Sequence, residues 1–111
     1  MWSPALYGEI DDMIQQAEAQ MEPAVRAFWD RIGIVPQKWQ LPPWGDEGGG
    51  FWVVALLGQE CIYFNDIEDG FNISRFDGLG IILEYGCEQD ELIYCIREYC
   101  KAFMDAVNPP P

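Results

Sequence analysis

The chain has 111 residues, 19 Asp and Glu against 6 Lys and Arg, no histidine, and a formal net charge of −13. A field of this sign repels nucleic acid and anionic membranes and attracts basic proteins, so we expect neither nucleic acid nor membrane as a partner. Half of the residues are hydrophobic, which is enough for a core without metal or disulfide support. We interpret residues 1–111 as a single domain.

The first third of the chain has a helical pattern. Ser3 followed by Pro4 is a typical helix start, with a capping hydroxyl and proline in the first turn. Apolar residues then recur at helical spacing, are interrupted at Pro23, and continue to Gly33, where a helix can stop. We predict that residues 1–33 form two helices, or one helix kinked at the proline.

The middle of the chain predicts an antiparallel sheet. Residues 34–50 read as a Pro/Gly-rich connection with room for a short strand around Lys38 to Leu41. The apolar run "GFWVVALLG" predicts a central strand buried on both faces, and Gly58-Gln59 predicts a hairpin turn into "ECIYFN". "GFNISRF" and "LGIILEYG" predict two more strands, so that the sheet occupies residues 51–86.

The last part of the chain predicts a helix over residues 88–107, with Asp90 as its N-cap and an apolar stripe facing the sheet. Residues 108–111 read as a tail, because "NPPP" cannot continue a helix. The expected fold class is α+β, with N-terminal helices, an antiparallel meander of four or five strands, and a C-terminal helix packed on the sheet.

The cysteines predict free thiols. They stand at positions 61, 87, 95 and 100, form no CxxC pair, and have no histidine to complete a mixed zinc site. The opening "MWSPALYGEIDDM" has no basic or apolar signal region, so we expect a cytoplasmic protein with reduced cysteines. We expect no metal and no cofactor.

The turn "NDIEDG" was compared with a calcium loop. If Gly70 is placed at the sixth position of an EF-hand loop, Ile67 falls at the third and Phe76 at the twelfth. Neither side chain carries a ligand oxygen, and the twelfth position requires a bidentate glutamate. The pattern therefore does not favour calcium binding.

The groups needed for catalysis are scarce. The chain has no histidine to act as a general base at neutral pH, and Ser3 and Ser74 are its two hydroxyl nucleophiles besides tyrosine. We therefore expect no enzyme activity. The alternative that stays open is a small enzyme or ligand-binding domain that uses the carboxylates Glu68 and Glu84 in a pocket.

Negative charge is concentrated in the middle of the chain. Residues 46–91 contain eleven acids and a single base, Arg75, which gives a local net charge of −10. Acids interleaved with aromatic residues are typical of a surface that binds a basic protein. The predicted partner-binding residues are four charge partners, Asp66, Glu68, Asp69 and Asp77, and two anchors, Phe71 and Phe76.

Residues 65–70 are predicted to be a rigid acidic turn presented to that partner. Gly70 is expected to allow the reversal into the next strand, and Asp66 is expected to bond its own backbone, as turn aspartates do. In the strand that follows, alternation places Phe71, Ile73 and Arg75 on one face and Phe76 on the other.

The stretch from Gly48 to Leu92 resembles the small bacterial immunity proteins of polymorphic-toxin systems. The resemblance lies in an apolar strand, a second strand ending in "YFNDIEDGFN", then "EY" and an acidic "QDEL" that opens a helix. It implies a protein that binds and blocks a cognate toxin, often a nuclease or deaminase with a basic active site.

Overall fold

The structure is a computed structural model that describes residues 3–109, and in this part of the chain two α-helices are followed by five strands and a third α-helix, the order that was predicted. In chain order they are α1 (Tyr7–Glu18), α2 (Pro23–Ile32), β1 (Gly33–Trp39), β2 (Phe51–Leu57), β3 (Glu60–Asn65), β4 (Gly70–Asp77), β5 (Ile81–Ile82) and α3 (Leu92–Val107). The predicted α+β class, with a meander sheet and a C-terminal helix packed on it, is confirmed. No described helix is long and apolar enough to cross a membrane.

The five strands are antiparallel neighbours in chain order. The predicted Gly58-Gln59 turn joins β2 to β3, with Gly58 at a φ of 60°. Just beyond β1, Gln40 pairs in parallel with Ile81 of β5. The sheet therefore curls until its two outer strands meet.

The curled sheet separates two hydrophobic cores. On its outer face all three helices pack against β2, β3 and β4, in a core that includes Ile10, Trp29, Ile62, Phe64 and Ile96. On its inner face the loop after β1 closes over a second core of Trp39, Leu41, Phe51, Val53, Cys61, Tyr63 and Ile82. The central strand β2 contributes to both cores, as the continuous apolar run predicted.

The predicted helix start at Ser3-Pro4 is wrong, because α1 begins at Tyr7. The residues before it are pinned to the sheet: the Ala5 amide donates to an Asp66 carboxylate oxygen (2.8 Å), and the Trp52 indole donates to the Ala5 carbonyl (2.8 Å). The N-cap of α1 is Leu6, and its backbone amide donates to the carboxylate of Glu9 in the first turn of the helix.

The predicted break at Pro23 is confirmed, since α1 and α2 are separate helices and Pro23 begins the second. Gly33 ends α2 in an extended conformation, with a φ of −65° and a ψ of 140°, so the chain passes directly into β1. The interpretation of residues 34–50 as a connection was therefore too broad, because its first six residues are strand. Exposed residues alternate with half-buried ones in β1, but the exposed Val35 is apolar and the half-buried Lys38 is polar, so the hydrophobic pattern of a strand is weak.

Two further boundaries differ from the prediction. The fourth predicted strand, "LGIILEYG", is reduced to the two residues of β5, and α3 begins at Leu92 with Glu91 at the cap position. Asp90 is not the N-cap, because its carbonyl accepts a hydrogen bond from the Phe71 amide (2.9 Å) and thereby belongs to the edge of β4. Residues 83–91 follow the sheet as an extended segment.

Candidate functional site

The turn between β3 and β4 is organised by Asn65. This residue is fully buried, and its side-chain oxygen accepts hydrogen bonds from the amides of Ile67 (3.0 Å) and Glu68 (3.2 Å). The expectation that Asp66 bonds its own turn is therefore corrected. Asp66 instead binds the Ala5 amide, and the asparagine closes the turn.

The chain reversal that was predicted at Gly70 is made by Asp69. Asp69 has the left-handed conformation, with a φ of 63°, and so makes the reversal that was assigned to Gly70. Gly70 is needed for a different reason: a Cβ at this position would overlap the carbonyl oxygen of Glu88 and the backbone of Gln89. The close approach of residues 88–89 to the turn requires this glycine.

The extended segment before α3 is held against the sheet by two buried asparagines. The Asn72 side chain accepts from the Glu88 amide (2.9 Å) and donates to the Glu88 carbonyl (3.1 Å). The Asn65 side chain also donates to the Gly86 carbonyl (2.8 Å). These bonds satisfy backbone groups that have no strand partner, so a segment without regular secondary structure is fixed in place.

Tyr63 and Ser74 extend this attachment. The Tyr63 hydroxyl donates to the Glu84 carbonyl (2.9 Å) and accepts from the Gly86 amide (2.7 Å), while the Ser74 hydroxyl accepts from the Glu84 amide (2.9 Å). Burial raises the pKa of Tyr63 to about 12, which keeps the phenol protonated and able to donate. Among the described residues, no buried side-chain polar atom lacks a partner.

These attachments bring two acidic stretches together, residues 66–69 and 88–91, which we call the acidic edge. It contains six carboxylates: Asp66, Glu68, Asp69, Glu88, Asp90 and Glu91. Asp66 is bonded to the backbone at Ala5. Among residues 3–109, no lysine or arginine forms an ion pair with any of the other five. The sequence pattern predicted the first stretch as part of the partner-binding site; the second stretch belongs to the acidic region 46–91 but was assigned only to a helix start.

The two predicted anchors do not lie on this surface. Phe71 is only 2% exposed and packs on Phe64 in the outer core, with ring centroids 4.9 Å apart. Phe76 is half-buried and packs on Trp39 in the inner core (5.1 Å). The predicted alternation of faces is correct, but both faces are covered, one by helices and one by the loop after β1. Neither ring is therefore available as a surface anchor.

Asp77 is also separated from the other predicted charge partners. It ends β4, whereas the acidic turn immediately precedes Gly70, the first residue of the same strand. Eight residues of extended chain span roughly 25 Å. The structure therefore brings Asp66, Glu68 and Asp69 together and leaves Asp77 at the far end of the sheet.

An aromatic pair that the sequence reading did not select adjoins the acidic edge. Trp44 is 44% exposed and packs on Tyr85, with ring centroids 4.8 Å apart. The Tyr85 hydroxyl donates to the Glu68 carboxylate (3.3 Å). The signal in the sequence was a tryptophan inside the polar loop "PPWGDEGGG", where no core strand or helix would bury it.

The carboxylates of the alternative reading, Glu68 and Glu84, do not share a cavity. Neither lines the cavities of about 250, 370 and 620 Å³. The Glu84 carboxylate accepts from the backbone amide of Arg75 (3.0 Å) and pairs with its guanidinium, and these contacts hold the pKa of Glu84 below its usual value. A general acid needs the opposite shift, so the geometry gives this alternative no support.

The cysteines are free, and three of them are buried. Burial raises the pKa of Cys61 and of Cys95 to about 12, which makes these thiols poor nucleophiles. Cys87 is exposed beside the acidic edge. In the described part of the chain, no group of three or more Cys, Asp or Glu is placed to hold a metal ion.

The acidic edge thus combines a fixed backbone, five carboxylates without an ion pair among the described residues, and a neighbouring exposed tryptophan. What it can bind has to be inferred from these properties. Comparison of the chain with protein-family models, with curated proteins and with solved structures finds no match.

Proposed function

We propose that this protein binds a basic protein partner through the acidic edge and neutralises it. The observation that carries the proposal is the meeting of two acidic stretches in which Glu68, Asp69, Glu88, Asp90 and Glu91 form no ion pair with a lysine or arginine among the described residues. Bringing like charges together costs folding stability. That cost is offset when a positive surface arrives, so the arrangement favours a complex.

The fixed backbone of the acidic edge supports this function. Asn65 and Asn72 hold both stretches through side-chain bonds, and Asp69 has a defined left-handed conformation. A surface that is ordered before binding loses little conformational entropy when the partner docks. The carboxylates can therefore convert charge complementarity into both rapid association and a specific orientation.

Trp44 provides the apolar contact that charge alone lacks. Interfaces bind most tightly where an aromatic side chain is buried at the centre of a ring of polar contacts. Trp44 stacks on Tyr85, which is itself hydrogen-bonded to Glu68. A partner that covers Glu68 would therefore also meet the tryptophan, and Trp44 takes the anchor role first assigned to Phe71 and Phe76.

The partner class we propose is a toxin with a basic active site, of the nuclease or deaminase type. The support is the sequence resemblance to polymorphic-toxin immunity proteins from Gly48 to Leu92, the stretch that also contains all six carboxylates of the acidic edge. In this proposal the protein acts in a bacterial cytoplasm as an inhibitor and performs no catalysis itself. The charge it presents imitates the phosphates that such a toxin would bind.

The test begins by isolating the partner from the native host with two baits, the wild-type protein and a variant with Glu68→Gln and Glu88→Gln. Proteins retained by the wild type and lost with the variant are identified, and the basic candidate is purified. Its own activity is then assayed with increasing amounts of this protein. We expect the activity to disappear at an equimolar ratio.

The association rate offers a second measurement with the same pair of proteins. Steering between opposite charges is screened beyond about 10 Å at 0.1 M salt, so the association rate should fall steeply as salt rises. An active toxin in the saturated complex, or an association rate indifferent to salt, would contradict the proposal.

A further inference from the structure

A cavity of about 250 Å³ opens beside the acidic edge. It lies between α1, the start of β4 and the residues that lead into α3. Buried side chains form its floor, among them Phe64, Phe71 and Leu92. Three carboxylates of the acidic edge, Asp69, Asp90 and Glu91, line it together with Gln16 of α1 and Gln20 just beyond that helix.

Among the described residues, none that lines this cavity is a lysine or an arginine. The guanidinium of Arg97 reaches the carbonyl of Gln20 at the rim (3.2 Å), but the same group is paired with Glu22 at 2.7 Å. The cavity therefore keeps an apolar floor and a negative rim. A long side chain with an apolar stem and a cationic head matches that division.

The size of the cavity limits what it can hold. Sites for small molecules and cofactors usually measure about 300–1,000 Å³, and this one is smaller. The carboxylates are not grouped closely enough to hold a metal ion. One extended side chain is therefore a better match than a cofactor or a bare cation.

We propose that this cavity receives an arginine side chain of the basic partner, with the stem over Phe64 and Leu92 and the guanidinium among Asp69, Asp90 and Glu91. A guanidinium has five donors in a planar fork, so it can bond to carboxylates from two different segments at once. The choice of occupant rests on the proposed function, whereas the affinity of the cavity for a guanidinium does not.

The cavity is tested first without any partner, with N-acetyl-arginine amide as the probe and the citrulline analogue as its neutral isostere. Binding is followed by amide shifts in the NMR spectrum of the whole protein. We expect the arginine probe to bind at least about tenfold more tightly than the citrulline probe, with shifts at residues 69 and 89–93.

Two variants that remove equal charge show where the probe binds. The rim variant carries Asp69→Asn, Asp90→Asn and Glu91→Gln, in which asparagine still accepts the left-handed conformation of position 69. The control carries Asp30→Asn, Asp77→Asn and Asp105→Asn, none of which lines the cavity. We expect the rim variant to lose the preference for arginine and the control to keep it. Equal affinity for both probes, or an equal loss in both variants, would overturn the proposal.

The occupant is tested with the purified partner. The arginines of the partner are replaced one at a time with citrulline or glutamine. Replacing the arginine that enters the cavity should weaken binding to the wild type and have little further effect on binding to the rim variant. If every arginine of the partner can be replaced without loss, the occupant is not arginine. If the probe binds as expected but no inhibited partner exists, the cavity stands and the proposed function fails.

Discussion

Helix α2 and the acidic edge differ in how their negative charge is compensated. At α2, the N-cap residue Glu22 pairs with Arg97 at 2.7 Å and Asp30 pairs with Arg26 at 2.8 Å. The contact with Arg97 lowers the pKa of Glu22. At the acidic edge, five of six carboxylates have no such partner among the described residues. Negative charge is therefore paired around α2 and left without ion pairs at these five carboxylates of the acidic edge.

This difference is instructive because surface ion pairs contribute little to stability, at most about 1 kcal/mol each. The helical pairs are exposed and do not hold the fold together. The acidic edge, in contrast, is built on buried asparagines that lock the backbone beneath the charge. The acids around α2 are balanced by ion pairs on which the fold does not depend, whereas the acidic edge gathers carboxylates on a backbone that buried side chains fix.

The largest effect on stability is expected for Gly70→Ala. A methyl group here would overlap the backbone of Glu88 and Gln89, so residues 88–91 must move away from the turn. We expect a loss of about 3 kcal/mol in the free energy of unfolding, at the upper end of what overpacking costs. Urea denaturation measures the loss, and amide exchange should show that residues 84–91 open while α1 and α2 stay protected.

Gly8→Ala is the matched control for that variant. Gly8 lies in α1 with open space around the position of a Cβ, so alanine should stabilise the helix by roughly 0.5–1 kcal/mol. A Gly70→Ala variant as stable as the wild type would show that the segment is not packed against the turn as described.

The next effect concerns Trp44 and sharpens the comparison at the level of binding. Trp44→Ala should weaken the complex with the basic partner by about 2 kcal/mol, as expected for an aromatic hot spot. Met104→Ala, on α3, removes a side chain of similar exposure (47% against 44%) and should leave the affinity unchanged. Calorimetric titration compares the two. An equal loss of affinity in the two variants would show that the partner does not bind at the acidic edge.

A further effect, independent of binding, is a loss of stability at alkaline pH. Burial raises the pKa of Tyr63 from 10.0 to about 12, so the unfolded chain releases this proton first. The stabilisation is fully present below pH 10 and is lost as pH rises towards 12, by about 1.4 kcal/mol per pH unit. Cys95, raised from 9.0 to about 12, acts in the same direction from a lower starting pH.

Urea denaturation between about pH 8 and pH 11 measures this loss. Tyr63→Phe should be less stable than the wild type at neutral pH, because it loses the bonds to Glu84 and Gly86. It should also lose stability more slowly above pH 10. The same slope in both proteins would show that Tyr63 ionises in the folded state without hindrance.

Local pattern was sufficient for most of the fold. The run in β2, the turn at Gly58 and the interruption at Pro23 each depend on residues close in sequence, and each was predicted correctly. The short β5 was overestimated because Glu84 and Gly86 satisfy their backbone groups with side chains from β3 and β4. Such bonds leave no periodic signal.

The site could be predicted only in part, because one part of it is contiguous in sequence and the other is brought there by tertiary hydrogen bonds. The acids at 66–69 are contiguous and were recognised, but their meeting with residues 88–91 depends on the bonds from Asn72 to Glu88, which join positions 16 residues apart. Alternation placed Phe71 and Phe76 on opposite faces, yet it could not show that both faces are covered. A sheet covered on one face only would expose one of these rings, and tertiary packing on both faces covers them.

The central claim is tested most directly by the affinity of the purified partner for two variants that each remove four negative charges. One carries Glu68→Gln, Asp69→Asn, Glu88→Gln and Asp90→Asn at the acidic edge. The other carries Asp12→Asn, Asp30→Asn, Asp77→Asn and Asp105→Asn, on the helices and at the far end of β4. With both variants as stable as the wild type, calorimetric titration should show at least a tenfold loss, about 1.4 kcal/mol, for the first and less than about a twofold change for the second. Equal losses would mean that net charge alone attracts the partner, and an unchanged affinity in the first variant would contradict the assignment of the acidic edge as the binding surface.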